Sequence, residues 1–233
     1  CHLHPGRNPH CIVVDPANRF AYAPLPGSAR IAQYRFDAAT GALALNCPPF
    51  VGTAREAGPR HLVLAPDNRH AFVLAELGGE ILTYAVEPDG GGLIPTHAVP
   101  LLPPDRALPP GGYEPPVNKS GGGNSPTPVM WAADLRITPD GRFLYASERT
   151  NSTLSLFRVD PVSARLDPAG VVKTEKQPRG FAIEPCGRYL VAAGEKSNRV
   201  SVYAIDADDG GLSPTDAKPV GSGPTWVETI VFH

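Results

Sequence analysis

The sequence predicts an all-β fold, a β-propeller of four-stranded blades, and a repeated hairpin is the main observation behind this prediction. The hairpin is an apolar run, a turn that contains proline, and a second apolar run, as in the segment from Gly58 to Leu77. Proline presets φ for a β-turn, and Asp or Asn tolerates the rest of the turn geometry. The turn prolines of the four copies are Pro16, Pro66, Pro139 and Pro185.

A third and a fourth run follow each hairpin. The third run alternates apolar and polar residues and carries one aromatic side chain at a matching place, and these are Tyr34, Tyr84, Phe157 and Tyr203. Four strands in roughly 45–50 residues is the period of a propeller blade. We therefore expect each aromatic residue to be buried in its own sheet. An arginine after each turn also repeats, which indicates a structural role at the opposite rim, and these are Arg19, Arg69, Arg142 and Arg188.

Composition supports this fold and excludes several classes of partner. The 28 prolines and 24 glycines of the 233-residue chain fit frequent turns better than a helical bundle. The formal net charge of −2 does not suggest a nucleic-acid partner, and no apolar run approaches the roughly 20 residues that span a membrane. The four cysteines show no C-x-x-C spacing, which indicates reduced thiols in a cytoplasmic protein. We also expect the protein to be a monomer.

The sequence predicts a single propeller domain over residues 1–233, with about four blades and a closing strand in a fifth, partial repeat that starts at Gly223. The first residue is Cys1, and residues 1–9 are too few to complete that blade, so we expect the chain to be incomplete at its N-terminus. Residues 100–128 are rich in proline and glycine, which predicts a mobile loop inserted before the third hairpin.

Comparison of the repeats separates blade residues from candidate site residues. A position that is the same in every copy serves the blade, whereas an ionisable residue that departs from the repeat is a candidate. Such departures occur where the first strand of a hairpin begins and its second strand ends, which we call the hairpin-base rim. The candidates there are His10, Arg60, His61, Glu76, Asp134, Arg149, Arg179, Glu195 and Lys196.

These residue types suit acid–base chemistry on an anionic substrate. Arginine donates two parallel hydrogen bonds to a carboxylate or phosphate, and histidine with a carboxylate can move protons near neutral pH. The alternative is that they are exposed rim charges, each pair contributing under about 1 kcal/mol. A metal site made by His2 and His4 with Cys1 and Cys11 is a weaker candidate, and we predict no metal and no other cofactor.

Five segments resemble the bacterial propeller-type 6-phosphogluconolactonase family. They are residues 57–61 (AGPRH), 131–142 (WAADLRITPDGR), 177–181 (QPRGF), 192–197 (AAGEKS) and 223–227 (GPTWV). The resemblance implies a seven-bladed propeller that hydrolyses 6-phosphoglucono-δ-lactone in the pentose phosphate pathway without a cofactor. The fold family also includes fungal carboxy-muconate lactonising enzymes, and their catalytic His, Arg and Glu residues match His10, Arg60, Glu76 and Arg149 motif by motif.

Our hypothesis is that Arg60, Arg149 and Arg179 bind the anionic substrate and stabilise the oxyanion, while Glu76 or His10 removes the proton of the attacking water and the other orients it. The remaining candidates, His61, Asp134, Glu195 and Lys196, would then also bind substrate. On this interpretation we expect Arg60→Ala or Glu76→Ala to abolish activity and to leave thermal stability nearly unchanged. Two alternatives stay open: a lactonase or cycloisomerase that acts on another sugar-acid or muconate-type lactone, and a non-catalytic propeller that binds partners on its rim.

Overall fold

Each predicted hairpin forms the first half of a four-stranded antiparallel sheet in a computed structural model, which describes residues 8–54, 57–112 and 128–230. The strands of blade 1 are β1 (Val13–Val14), β2 (Phe20–Leu25), β3 (Arg30–Asp37) and β4 (Ala42–Gly52). Those of blade 2 are β5 (Pro59–Leu64), β6 (His70–Ala75), β7 (Glu80–Val86) and β8 (Leu93–Pro100).

Blades 3 and 4 repeat this order. The strands of blade 3 are β9 (Ala132–Ile137), β10 (Phe143–Glu148), β11 (Thr153–Val159) and β12 (Leu166–Lys173). Those of blade 4 are β13 (Pro178–Ile183), β14 (Tyr189–Gly194), β15 (Arg199–Ile205) and β16 (Leu212–Pro219). In every blade the strands pair in chain order, so the predicted all-β class and the four-stranded blades are confirmed. The described residues contain no helix that is long and apolar enough to cross a membrane.

The hairpin turns adopt the conformation that their residue types favour. The last turn residue before each structural arginine has a positive φ, and these residues are Asn18, Asn68, Gly141 and Gly187, with φ of 53°, 58°, 76° and 75°. Asn and Gly are the residues that adopt this left-handed conformation most readily. The first strands of neighbouring blades then lie side by side, as β1 with β5, β5 with β9 and β9 with β13. The hairpin bases of neighbouring blades are therefore adjacent.

Repeated contacts join the blades at the opposite rim. The Tyr22 hydroxyl donates to the Gly91 carbonyl at 2.9 Å, and the Tyr145 hydroxyl donates to the Gly210 carbonyl at 2.6 Å. Two of the predicted structural arginines also reach the next blade: Arg19 Nη2 donates to the Pro88 carbonyl at 3.2 Å, and Arg142 Nη1 donates to the Ala207 carbonyl at 2.7 Å. The four repeated aromatic residues are all buried, as predicted. Apolar packing between sheets and these rim contacts hold the hairpins in a fixed arc.

Two segments differ from expectation. The prediction of a mobile loop over residues 100–128 is wrong for Leu101 and Leu102, which are buried against Phe157 in the core between blades 2 and 3. Moving these apolar side chains from water into the core is favourable in free energy. Beyond them, the Gly111 amide donates to the Leu77 carbonyl at 2.9 Å, so this part of the insertion follows the hairpin-base rim. Residues 113–127 of the insertion lie outside the described residues.

The fifth repeat has no strand hydrogen-bond ladder in its described part, residues 223–230. It nevertheless runs beside the first strand of blade 4. A Cβ on Gly180 would lie 2.8 Å from the Thr225 carbonyl oxygen, and the Thr229 hydroxyl donates to the Ile183 carbonyl at 3.0 Å. The segment thus occupies the place of a first strand, although the described residues supply no ladder partner on its other side.

Candidate functional site

A buried ion pair lies at the base of the blade 2 hairpin. Arg60 stands near the start of β5 and Glu76 directly after β6, and the hairpin brings these two ends together. Arg60 Nε lies 3.3 Å from Glu76 Oε1, and the two residues are only 2% and 5% exposed. Arg60 Nη1 also donates to the carbonyl of Ala133 in blade 3. The guanidinium is therefore fixed between two blades.

Blade 3 contributes two more donors to the same carboxylate. Arg149 Nη2 donates to Glu76 Oε1, and so does the indole Nε1 of Trp131, at 2.8 Å. The Arg149 guanidinium also stacks over the Trp131 ring, 4.6 Å from its centroid. Burial lowers the pKa of Arg149 to about 10, although Glu76 opposes this change. Arg149 thus stays protonated at neutral pH, and Glu76 holds two cations and an indole in place.

A second chain of contacts runs from blade 2 to blade 4 through Asp134, which is fully buried. Its Oδ1 lies 2.5 Å from His61 Nδ1, and its Oδ2 accepts from the Phe181 amide at 3.2 Å and lies 3.3 Å from Arg136 Nη2. Burial raises the pKa of Asp134, but the hydrogen bond with His61, then the charge of Arg136 and the Phe181 amide, outweigh it, so the net pKa is lowered. Ionised Asp134 accepts the proton on His61 Nδ1 and fixes that tautomer.

His10 lies at the exposed end of this chain. Its Nδ1 is 3.2 Å from His61 Nε2, which is also 3.3 Å from Arg60 Nη1. Because His61 Nε2 is the acceptor, His10 donates its Nδ1 proton and carries its lone pair on Nε2. Partial burial, followed by the charge of Arg60 and then the charges of Arg179 and Arg149, lowers the pKa of His10 to about 3. His10 is therefore a neutral imidazole at physiological pH.

Three predicted residues lie at the edge of these buried clusters. Arg179 Nη1 is 3.9 Å from Glu195 Oε2, with side chains 38% and 24% exposed. Arg179 is close enough to His10 to lower its pKa. Lys196 is exposed. The alternative of exposed rim charges is thus wrong for Arg60, His61, Glu76 and Asp134, which are buried, but it describes Arg179 and Lys196 well.

Trp131 is a residue of the cluster that the comparison of repeats did not single out, although the repeats contain the signal. At this position the other repeats have a residue with positive φ followed by proline. These pairs are Asn8-Pro9, Gly58-Pro59, Gln177-Pro178 and Gly223-Pro224, with φ of 57°, 64°, 55° and 64° at the first member. Blade 3 has Trp131-Ala132 instead. This departure from the repeat places an indole on Glu76.

Glu148 supports the part of the site that blade 3 provides. It is fully buried, and its carboxylate accepts from the amides of Trp131 at 3.2 Å, Thr150 at 2.8 Å and Asn151 at 2.6 Å. These bonds tie the start of β9 to the turn after β10. They hold Trp131 and Arg149 at a fixed separation, which indicates a positioning role for Glu148.

The described residues contain no group of three or more His, Cys, Asp or Glu side chains that could hold a metal ion. Cys1, His2 and His4 of the weaker metal candidate lie outside the described residues. Cys11 Sγ instead donates to the Arg60 carbonyl at 3.5 Å, and burial raises its pKa to about 11. The absence of a cofactor remains a prediction.

Comparisons with known proteins agree with this architecture. Residues 3–229 match the family model described as "Lactonase, 7-bladed beta-propeller". The chain is 34% identical over 222 residues to a 6-phosphogluconolactonase of Serratia proteamaculans, covering 95% of this chain and 61% of the relative. It is 36% identical over 223 residues to a 6-phosphogluconolactonase of Pectobacterium carotovorum, with 96% and 61% covered.

A solved structure gives the same result. The periplasmic gluconolactonase PpgL of Pseudomonas aeruginosa superposes with a TM-score of 0.76 at 28% identity, covering 92% of this chain and 55% of that one. The chain thus spans about three fifths of the length of the curated relatives that it matches. The family model covers nearly the whole chain, and the four blades have the family's architecture. This chain therefore belongs to the seven-bladed β-propeller lactonase family.

Proposed function

We propose that the protein hydrolyses a lactone, with 6-phosphoglucono-δ-lactone as its substrate. The observation that carries the proposal is a neutral histidine, His10, backed by the His61–Asp134 pair and adjacent to a buried arginine cluster. A neutral imidazole can accept a proton from water, and the arginines supply fixed positive charge where an oxyanion develops. The names of the two curated relatives support this choice of substrate.

In the proposed reaction His10 is the general base. Water attacks the lactone carbonyl carbon while its proton passes to His10 Nε2. The imidazolium that forms donates its Nδ1 proton to His61 Nε2, and His61 in turn donates to the ionised Asp134. The ring C–O bond then breaks, and the departing alkoxide takes the proton from His10. The products are a carboxylate and a hydroxyl group on one open chain, with the second proton of the water released to solvent.

Glu76 serves as an anchor in this scheme. Arg60, Arg149 and Trp131 all direct donors at its Oε1, so this oxygen is occupied in holding the three side chains in place. Of the two arginines, Arg149 is the more accessible, with 11% of its side chain exposed against 2% for Arg60. We assign oxyanion stabilisation to Arg149. Arg60, the more buried of the two, contacts His61 and Glu76 and holds them in position.

Arg179 and Lys196 are assigned to the phosphate of the substrate. Both cations lie at the exposed edge of the site, where a phosphate could remain partly hydrated. A second candidate is hydrolysis of unphosphorylated glucono-δ-lactone, because the structural relative from Pseudomonas aeruginosa is a gluconolactonase. The cations at the site edge favour the phosphorylated substrate.

The test is an assay of acid release from both lactones by the protein. We expect faster turnover of 6-phosphoglucono-δ-lactone, and a loss of about 10²- to 10⁴-fold in kcat when His10 is replaced by alanine. Arg179→Ala should raise KM for the phosphorylated lactone and leave KM for glucono-δ-lactone unchanged. Arg188→Ala, on the opposite rim, is the control.

Four results would contradict the proposal in different ways. Full activity of His10→Ala would remove His10 as the base. Equal use of the two lactones would overturn the phosphate assignment. Turnover of a muconate-type lactone alone would favour the cycloisomerase alternative, and no turnover of any lactone would favour a binding propeller.

We also propose a cytoplasmic, monomeric protein. Cys47 and Cys186 are exposed and reduced, and exposed thiols persist in reducing compartments. The periplasmic relative from Pseudomonas aeruginosa provides the alternative location. Cell fractionation with an antibody tests the compartment, and light scattering tests the mass in solution. Recovery in the periplasm, or the mass of a dimer, would contradict the respective proposal.

A further inference from the structure

A cavity of about 470 Å³ lies between blades 2 and 3, on the outer side of the sheets. Its lining does not include Arg60, Glu76 or Arg149 of the candidate site. Its floor is buried and mostly apolar, formed by Leu101, Leu102, Leu156 and Phe157. Its mouth is formed by exposed residues, among them Pro104, Arg106 and Pro168. Its size falls in the range of pockets that bind small molecules.

One polar side chain lines the floor of this cavity without a partner. The Ser155 hydroxyl is buried, with the residue 1% exposed, and has no hydrogen-bond partner among the described residues. The Thr153 hydroxyl, on the same face of β11 two residues earlier, is also buried without a partner there. A buried hydroxyl without a partner carries a desolvation cost of about 1–3 kcal/mol. Its presence in a folded protein therefore calls for a structural or functional explanation.

Blade 4 shows what occupies the equivalent place in the repeat. The segments that leave β8 and β12 form the same first backbone bond, from Leu101 to the Gly79 carbonyl and from Thr174 to the Ser152 carbonyl. By this register Leu102 is equivalent to Glu175. Thr153 and Ser155 of β11 are likewise equivalent to Arg199 and Ser201 of β15. Each pair lies four and two residues before the repeated aromatic residue of its blade, Phe157 or Tyr203.

In blade 4 these positions form a complete polar cluster. The Ser201 hydroxyl donates to Glu175 Oε1 at 2.6 Å, and Arg199 Nε lies 3.7 Å from the same oxygen. In blade 3 the acceptor is replaced by Leu102 and the cation by Thr153, whereas the serine is retained. The anion and the cation are thus absent together, and a hydroxyl donor remains in an apolar cavity.

We propose that this cavity binds an uncharged apolar molecule that carries one carbonyl-type acceptor, with the Ser155 hydroxyl donating to that acceptor. A charged ligand would have to lose its hydration on a floor that contains no cation, which is costly. A purely apolar ligand would leave the hydroxyl without a partner. A ketone or ester of modest size matches both the lining and the hydroxyl. This site is separate from the proposed lactonase chemistry and does not depend on it.

The test uses three aromatic probes of similar size and measures their affinity for the full chain by calorimetry or chemical-shift titration. Acetophenone has a neutral acceptor, ethylbenzene has none, and benzoate is charged. We expect acetophenone to bind about three- to tenfold more tightly than ethylbenzene, which is the range for one net hydrogen bond. Benzoate should bind most weakly of the three.

Two variants separate the hydroxyl from the cavity. Ser155→Ala should reduce acetophenone affinity to the level of ethylbenzene and leave ethylbenzene affinity unchanged. Leu102→Gln supplies an internal acceptor in the place of Glu175, so it should also remove the preference for acetophenone. Ser201→Ala, the same change in blade 4, is the matched control and should alter neither affinity.

Any of three results would overturn the proposal. Equal affinity of acetophenone and ethylbenzene for the unaltered protein would show that Ser155 does not select the ligand. Tighter binding of benzoate would show that the cavity prefers an anion. No binding of any probe up to its solubility limit would show that solvent alone occupies the cavity.

Discussion

Blades 2 and 4 carry the same arginine–glutamate pair at equivalent positions, yet the two pairs differ in almost every physical property. In blade 2, Arg60 Nε lies 3.3 Å from Glu76 with both side chains almost fully buried. In blade 4, Arg179 Nη1 lies 3.9 Å from Glu195 and 38% of the arginine side chain is exposed. Equivalent position in the repeat therefore does not determine the environment of the pair.

The neighbouring blade accounts for the difference. Blade 3 places Trp131, Arg149 and the Ala133 carbonyl against the blade 2 pair. The described segment that follows blade 4 has Gly223 and Thr225 at the equivalents of Trp131 and Ala133. The proposed catalytic cluster thus lies at the junction between blades 2 and 3, where one blade supplies the carboxylate and the next supplies the cation and the indole.

The largest expected contrast is in activity. Arg60→Ala should lower kcat on the lactone by about 10³-fold, because Arg60 holds both His61 and Glu76 in a buried site, where electrostatic preorganisation has its greatest effect. Arg179→Ala should leave kcat within about tenfold and act mainly on KM. The measurement is steady-state kinetics on both variants, with circular dichroism to check the fold. Equal losses in kcat would show that the junction with blade 3 has no special role.

The second contrast is in stability. Glu76→Ala removes the carboxylate that matches the buried charges of Arg60 and Arg149, so it should lower the free energy of unfolding by about 3–5 kcal/mol. Glu195→Ala removes a half-exposed partner and should cost less than about 1 kcal/mol. Because Glu76 is buried, this prediction replaces the expectation from sequence that Glu76→Ala would leave thermal stability nearly unchanged. Urea denaturation of the two variants measures both values, and a Glu76→Ala loss below 1 kcal/mol would contradict it.

How much of this could be predicted from sequence depends on the kind of contact. The turn prolines and the repeated aromatic residues predict the blades correctly because they act through local geometry and burial within one sheet. The candidate residues at the hairpin bases were found because each departs from the repeat. The depth of Arg60 and the role of Trp131 were not predicted, because both depend on what the next blade places against them.

The insertion concealed another relationship. Leu102 is equivalent to Glu175 only by the backbone register at the ends of β8 and β12. In the sequence, Leu102 is followed directly by Pro103 and Pro104 and stands at the start of the proline- and glycine-rich insertion, and this composition predicts a loop. The Ser155 hydroxyl, which has no partner in the part of the chain that the structure describes, and its cavity become visible only when the two blades are compared in three dimensions.

A smaller contrast concerns the two tryptophans. Trp131→Phe keeps a ring beneath Arg149 but removes the indole N–H that donates to Glu76. A hydrogen bond to a charged group contributes about 1.5–3 kcal/mol, so we expect a loss of about tenfold or more in kcat. Trp226→Phe removes an exposed bond to Glu228 and should change kcat less than about twofold. Comparable losses would show that bulk at the rim, rather than the bond to Glu76, determines the rate.

The smallest expected effect uses His10 as a probe of both arginines. Burial first, and then the charge of Arg60 ahead of that of Arg179, holds the pKa of His10 near 3. A histidine base works when it is neutral, so kcat/KM should stay level as pH falls from 7.5 to 5. NMR titration of the His10 ring should show its pKa raised in Arg60→Met and raised less in Arg179→Met.

Arg188→Met is the control for that titration, because Arg188 belongs to a turn at the opposite rim and pairs with Glu184 at 3.7 Å. It should leave the pKa of His10 unchanged. In both test variants the pKa should stay below 6.5, since partial burial acts on the ring without either arginine. A larger rise for Arg179→Met than for Arg60→Met would mean that Arg179 of blade 4 has the greater electrostatic effect on His10. The junction between blades 2 and 3 would then be the wrong place to locate the chemistry.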